Sequence, residues 1–212
     1  MLRIWLAQTV TQKLIAIAAL IGQTKMNTFY PENREQWREW LAQNHSQEIS
    51  IWLIYYKKNS GKPSISYSDA VDEALCFGWI DSKVKSIDDE KYMQFFCVRK
   101  PNSVWSKVNK EKVASLIEQG LMTKAGVEAI AIAKSNGSWN VLDAVEALVI
   151  PDDLMTALSS NLVAKEYFLD LNRTDKRNLL QWITLAKREE TRQKRIREIV
   201  FSAENQRKPK QF

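Results

Sequence analysis

The sequence predicts an α+β fold, with a small antiparallel sheet and flanking helices followed by an all-helical C-terminal half. Three observations support this class. Residues 49–58 form an apolar and aromatic run that is typical of a largely buried strand. Two further β-prone runs, 79–87 and 92–98, flank the acidic turn 88–91, as expected for a hairpin. After Pro101 the apolar residues repeat with a helical period.

Capping residues indicate where the two helices of the N-terminal half begin and end. Asn33 and Gln36 have the spacing of a capping box, and an apolar helical face follows them. Ser66 and Asp69 repeat this spacing before a second, shorter helix. Gly78 follows that helix and is expected to end it as a C-cap glycine.

The C-terminal half contains a series of helix start and stop signals. Ser106 or Asn109 is expected to begin a helix that Gly120 closes, and Thr123 to begin the next one. Pro151 suits a first helical position.

Later in the chain, Asn161 is a further cap, a helix is expected near 174–187, and a last one starts at about Glu190. These signals divide the chain into an α+β part at 26–120, a helical part at 121–205 and a flexible tail at 206–212.

The first 25 residues are expected to be an extension upstream of the domain. The apolar run at 14–22 is too short to span a bilayer, Lys13 interrupts the apolar stretch, and 22–24 is a poor signal-peptidase site. Met26 begins the sequence that leads into the first helix and could be the true start. Without a leader or a membrane span, the sequence predicts a cytoplasmic protein.

The formal net charge of +6 is unevenly distributed along the chain. The segment 173–212 contains twelve Lys or Arg and five Asp or Glu, so the basic excess belongs to the C-terminal end. One hypothesis is nucleic-acid binding through phosphate contacts. Its candidate residues are Arg188, Arg192, Lys194, Arg195 and Arg197. Interleaved glutamates also fit a solvated helix face with i, i+4 ion pairs.

The inventory of reactive residues excludes several classes of enzyme. His45 is the single histidine, so the chain has no His-rich metal site and no triad with several histidines. Cys76 and Cys97 lack the C-x-x-C spacing of a zinc site, and both glycine-rich phosphate-loop motifs are missing. A dyad of Cys76 with His45 is conceivable, although packing explains Cys76 better. We therefore predict no cofactor, no metal and no catalytic residue.

The segment from Trp79 to Lys112 is the candidate functional surface. Its polar loop has many donors and leads into a helix N-terminus, where an anion is favoured by the helix dipole and the unpaired N–H groups. The predicted ligand is an anionic small molecule or peptide. The candidate binding residues are Trp79, Asp81, Lys83, Arg99, Lys100, Asn102, Ser103, Trp105 and Asn109.

Two alternatives remain open for members of this set. Trp79 and Trp105 could offer flat surfaces for stacking, although large aromatic residues are usually core residues, which we favour. Asp81 could act as an acid or base in an enzyme of unknown class if burial raised its pKa. We favour an ordinary strand residue that pairs with a lysine across the hairpin.

Three runs of the sequence resemble the YdeI/OmpD-associated family, also called bacteriocin-protection proteins. These runs are ALCFGWIDS at 74–82, RKPNSVWSKVNK at 99–110 and AKREETR at 186–192. The resemblance extends in order from about residue 26 to 205. It implies a link to protection against bacteriocins or antimicrobial peptides, and it supplies no catalytic residues.

Overall fold

The structure, a computed structural model, describes residues 27–212, so the predicted extension 1–25 lies outside the described residues. These residues contain four strands and nine helices, which confirms the α+β class. They form two compact units. The N-terminal unit contains residues 27–74 and Trp79–Val98, and the C-terminal unit contains Leu75–Gly78 and Arg99–Phe212.

The N-terminal unit contains the sheet and two helices. Its elements, in order, are β1 (Thr28–Phe29), α1 (Arg34–Asn44), β2 (Ser50–Tyr56), a 3₁₀ turn (Lys58–Ser60), α2 (Tyr67–Cys76), β3 (Trp79–Ser86) and β4 (Lys91–Val98). Helix α1 begins as predicted, because the side chain of Asn33 accepts a hydrogen bond from the Gln36 N–H. Ser66 likewise accepts from the Asp69 N–H. Gly78 has φ +72° after α2, as expected for a C-cap glycine.

The strand order in the sheet is β1-β2-β4-β3. The pairs β2–β4 and β3–β4 are antiparallel as predicted, whereas β1 pairs with β2 in parallel, so the sheet is mixed. Strand β1 has only two residues. A segment this short has no alternating pattern that a sequence could display.

One face of the sheet forms the core of the N-terminal unit. Alternate residues of β2 are buried, and Ile51, Leu53 and Tyr55 are each at most 2% exposed. Trp37 of α1 packs edge-on against Phe96 of β4, and its indole N–H donates to the Ala70 carbonyl at 3.0 Å. This hydrogen bond and the aromatic contact attach α1 to both α2 and the sheet.

A buried carboxylate also joins the two helices. Glu73 is 1% exposed, and its two oxygens accept from Arg34 Nε at 2.5 Å and from Arg38 Nη1 at 2.6 Å. A carboxylate removed from water needs such partners, because an unpaired buried charge costs several kcal/mol. Glu73 is therefore a structural residue that sets the distance between α1 and α2.

The C-terminal unit is all-helical. Its helices are α3 (Lys107–Glu118), α4 (Lys124–Ser135), α5 (Asp143–Glu146), α6 (Asp152–Ser159), α7 (Leu162–Asp170), α8 (Arg173–Thr184) and α9 (Glu189–Glu204). The cap predictions at Ser106, Thr123 and Asn161 are confirmed, since each side chain accepts an N–H of the first turn. Pro151 is the N-cap residue of α6, one position before the predicted one. No helix within 27–212 is long and apolar enough to cross a membrane.

An apolar cluster from α5 to α9 forms the core of this unit. Its fully buried members include Leu154, Leu158, Ala164, Phe168 and Ile183. These residues lie at helical spacing on their own helices, so each helix contributes one apolar stripe to a common interior.

We predict that Glu73→Gln destabilises the protein by about 2–4 kcal/mol, because the substitution leaves two arginines around a neutral amide. Equilibrium urea unfolding measures the change. Glu39→Gln is the matched control on the exposed side of α1, where we expect less than about 0.5 kcal/mol. Equal stability of the Glu73→Gln variant and the parent would contradict the structural role of Glu73.

Candidate functional site

Three of the predicted ligand-binding residues lie on β3 in the N-terminal unit. Trp79 is 1% exposed and packs edge-on against Trp40, as the core alternative predicted. Asp81 is half-buried and Lys83 is exposed. A register irregularity falls between Asp81 and Val84, where β3 has one residue more than the β4 segment that faces it. Such bulges bend a strand and re-aim its side chains.

The first residue after β4 is a buried arginine. Arg99 is 7% exposed, and its guanidinium carbon lies 3.7 Å from the ring centroid of Trp105. Its Nη1 donates to the Val104 carbonyl at 3.1 Å. Trp105 is 1% exposed, so both side chains belong to the interior of the C-terminal unit. A desolvated cation–π contact of this kind stabilises the fold by about 2 kcal/mol.

The next residues form a fixed polar turn, which we call the 100–103 turn. The Ser103 N–H donates to the Lys100 carbonyl at 2.9 Å. From α4's end, the Asn136 side chain donates to the Pro101 carbonyl at 2.9 Å and to Asn102 Oδ1 at 3.2 Å. The side chains of Lys100 and Asn102 remain exposed. The turn is therefore held by its neighbours while its own donors face solvent.

Helix α3 starts at Lys107, four positions after the end of this turn. The Asn109 N–H donates to Ser106 Oγ at 3.2 Å, so Asn109 takes part in the N-cap through its backbone. Thus Lys100, Asn102, Ser103, Trp105 and Asn109 all lie in one short segment of the C-terminal unit. Binding of a ligand by this segment, and by the three β3 residues, stays a prediction.

The structure also contains a pocket that sequence reasoning missed, which we call the tyrosine pocket. It lies entirely in the N-terminal unit, has a volume of about 410 Å³ and is bordered by the end of β2, the start of α2 and β4. Its lining residues include Tyr55, Tyr67, Tyr92, Lys57, Lys58 and Ser66. The rings of Tyr55 and Tyr92 are parallel, with centroids 5.0 Å apart.

Asp81 belongs to the hydrogen-bond network beside this pocket. Its Oδ2 accepts from Tyr67 Oη and from Gln94 Nε2, each at 2.9 Å. Gln94 is 3% exposed, so this amide is committed to Asp81 within the interior. We expected Asp81 to pair with a lysine across the hairpin. In the structure it accepts hydrogen bonds from two neutral donors instead. The role of Asp81 as an acid or base stays a prediction.

The phenols of the pocket are held neutral. Burial, together with the hydrogen bond to Asp81, raises the pKa of Tyr67 to about 12. Burial raises the pKa of Tyr55 further, and the neighbouring Tyr92 and Asp81 add to that increase. The pKa of Tyr92 is also raised by burial. All three groups are consequently hydrogen-bond donors at physiological pH.

The basic residues at the N-cap of α9 and along the helix fall into two groups. Arg192 forms a bidentate ion pair with Asp153, in which Nε donates to Oδ2 at 2.6 Å and Nη2 donates to Oδ1 at 2.9 Å. Arg195 donates to the Trp182 carbonyl. Both are therefore used in packing α9. The other predicted nucleic-acid residues, Arg188, Lys194 and Arg197, are exposed.

Within 27–212, no three His, Cys, Asp or Glu residues are grouped so that they could hold a metal ion. Cys76 and Cys97 are not joined in a disulfide, and Cys76 is buried. His45 Nδ1 lies 2.9 Å from the Leu41 carbonyl at the end of α1. His45 and Cys76 belong to different units.

Two family matches divide the chain. Residues 147–206 match the bacteriocin-protection, YdeI or OmpD-Associated family, which confirms the resemblance over this segment. Residues 29–129 match a domain of unknown function, DUF8412, and this region contains the runs at 74–82 and 99–110. No curated protein and no solved structure gives a significant match to the chain.

We predict that Asp153→Asn flattens the acid dependence of stability. The hydrogen bond from Arg192 lowers the pKa of Asp153, so its folded carboxylate stabilises the protein above the ordinary carboxyl range. That contribution is lost as the pH falls through the lowered folded value. Urea midpoints at about pH 7 and about pH 3 should therefore differ less in Asp153→Asn than in the parent.

Asp152→Asn is the matched control, because Asp152 is the exposed neighbour on the same helix. It should keep the pH dependence of the parent. A parent-like difference between the two midpoints in Asp153→Asn would contradict the prediction.

Proposed function

Since residues 147–206 belong to the bacteriocin-protection, YdeI or OmpD-Associated family, we propose that the chain is a non-catalytic binding protein that acts in protection against bacteriocins or antimicrobial peptides. The family description supports the biological setting. The shortage of catalytic residue types in the sequence, with one histidine and no phosphate-loop motif, supports binding over chemistry.

The proposed ligand is anionic, either a small molecule or a peptide carboxylate, and its proposed site is the 100–103 turn with the start of α3. The observation that carries this site is the fixed conformation of the turn. Asn136 holds the backbone at Pro101 while the amine of Lys100 and the amide of Asn102 stay exposed. A backbone that is already held in place loses little conformational freedom on binding.

Within this proposal, the buried pair of Arg99 and Trp105 has a supporting role. The pair borders the turn on both sides in sequence and anchors it to the interior of the C-terminal unit. Substituting Arg99 would consequently disturb the fold as well as the site. An informative test must therefore leave Arg99 in place.

We predict that Lys100→Ala with Asn102→Ala abolishes the thermal stabilisation that anionic compounds give the parent protein. The ligands tested are inorganic phosphate, a nucleotide and a peptide with a free carboxylate. Ligand-dependent shifts in Tm measure binding, because a ligand that binds only the folded state stabilises it. Lys124→Ala, at an exposed lysine of α4, is the control and should respond as the parent does.

If the double variant responds to every compound as the parent does, the 100–103 turn is not the binding site. If no anion in the panel stabilises the parent, the proposal of an anionic ligand is wrong.

Nucleic-acid binding is a second candidate, which the exposed group on α9 supports. Arg188, Lys194 and Arg197 face solvent, in a segment whose net charge is positive. If they contact phosphates, the logarithm of affinity should fall linearly with the logarithm of salt concentration, with a slope of about −0.9 per phosphate for duplex DNA.

We predict for this candidate that the triple variant Arg188→Ala, Lys194→Ala and Arg197→Ala binds DNA more weakly and reduces the salt slope by about 3. Fluorescence anisotropy with a labelled duplex measures both quantities. The charge-matched control substitutes Lys107, Lys124 and Lys134 by alanine and should keep the parent slope. Absence of DNA and RNA binding at low salt would end this candidate.

A further inference from the structure

We propose that the tyrosine pocket is a binding site for a small aromatic carboxylate. All its lining residues belong to the N-terminal unit, so it is a site additional to the 100–103 turn. Its volume of about 410 Å³ falls within the range of about 300–1,000 Å³ that is usual for small-molecule sites. The chemistry of its walls specifies the class of ligand.

The aromatic part of the ligand is indicated by the rings that remain accessible. Tyr67 is half exposed, and Tyr92 is partly exposed with its ring stacked on Tyr55. Aromatic pairs prefer offset-stacked or edge-on arrangements and gain about 0.5–1.5 kcal/mol beyond their buried area. A flat ring that packs against Tyr92 and Tyr67 would continue this stack.

The polar part is indicated by a donor without a partner. The Tyr55 hydroxyl is buried, and none of the described residues forms a hydrogen bond with it. By contrast, Tyr67 donates to Asp81, whose same oxygen also accepts from Gln94. A buried hydroxyl gains most from an acceptor. Because the phenols stay protonated, the complementary ligand atom is an acceptor oxygen.

The negative charge of the ligand is indicated by two features at the rim. Ser66 caps the 10-residue helix α2, whose positive N-terminal end therefore lies at the pocket. Lys57 and Lys58 line the same rim. The Lys57 amine donates to the Asp88 carbonyl at 3.2 Å, whereas Lys58 is exposed.

Two carboxylates oppose this charge. Asp69 in the first turn of α2 accepts a hydrogen bond from the Ser66 hydroxyl, and one oxygen of Asp81 accepts from two neutral donors. The carboxylate of the ligand is therefore assigned to the exposed Lys58.

The probes that test this proposal are 4-hydroxybenzoate, its neutral amide 4-hydroxybenzamide, and the non-aromatic cyclohexanecarboxylate. Saturation-transfer NMR and calorimetric titration of the full chain measure binding. We expect 4-hydroxybenzoate to bind saturably and at least about tenfold more tightly than either other probe. Absence of saturable binding at millimolar concentration, or equal affinity for either comparison probe, would overturn the proposal.

Two substitutions locate the site. Tyr55→Phe removes only a hydroxyl without a partner, so the fold should be as stable as the parent or more stable, while affinity for 4-hydroxybenzoate falls about three- to tenfold. Lys58→Ala should weaken the binding of 4-hydroxybenzoate and leave the affinity for 4-hydroxybenzamide unchanged.

Tyr167→Phe and Lys85→Ala make the same chemical changes outside the pocket and should bind as the parent does. If Tyr55→Phe and Lys58→Ala both bind 4-hydroxybenzoate with parental affinity, the compound binds elsewhere and the assignment is wrong.

Discussion

The register of β2 against β4 is the constraint on which the N-terminal unit depends. It sets Tyr55 opposite Tyr92 and Leu53 opposite Gln94. Because successive side chains of a strand point to opposite faces, a slip of one residue would move this whole set to the other face of the sheet. The stacked tyrosines and the position of the buried amide follow from this alignment, and the pairing of β3 with β4 brings Asp81 to that amide.

Several charged side chains of this protein pair with one another inside each unit. Glu73 is enclosed by two arginines in the N-terminal unit, and Arg192 is committed to Asp153 in the C-terminal unit. Removing either partner of such a pair leaves a charge without compensation, so these residues act chiefly on stability. Both proposed anionic ligands therefore depend on cations that remain exposed, Lys100 at one proposed site and Lys58 at the other.

Features that depend on neighbours in the sequence were predictable. Asn33, Ser106, Thr123 and Asn161 cap their helices as expected, because a cap joins a side chain to an N–H only three residues away. The hairpin of β3 and β4 was predictable for the same reason. Strand β1 was missed, since two residues that pair with a distant strand leave no periodic signal.

The tyrosine pocket could not be predicted from the sequence, because its residues come from separate elements. Asp81 was a candidate from its place in the segment around Trp79, yet its partners Tyr67 and Gln94 come from other elements. Tyr55, which supplies the hydroxyl without a partner, looked like any aromatic residue of a buried strand. No spacing in the sequence joins these residues.

The sequence by itself determined the class of fold, most helix starts and the family match of residues 147–206, because each is encoded in contiguous stretches of chain. Only the tertiary structure decided which polar side chains face solvent. Arg99 lies buried on Trp105 whereas Lys100, its neighbour, is exposed. That difference arises because burial depends on atoms that folding brings from elsewhere in the chain, and adjacent residues can meet opposite surroundings.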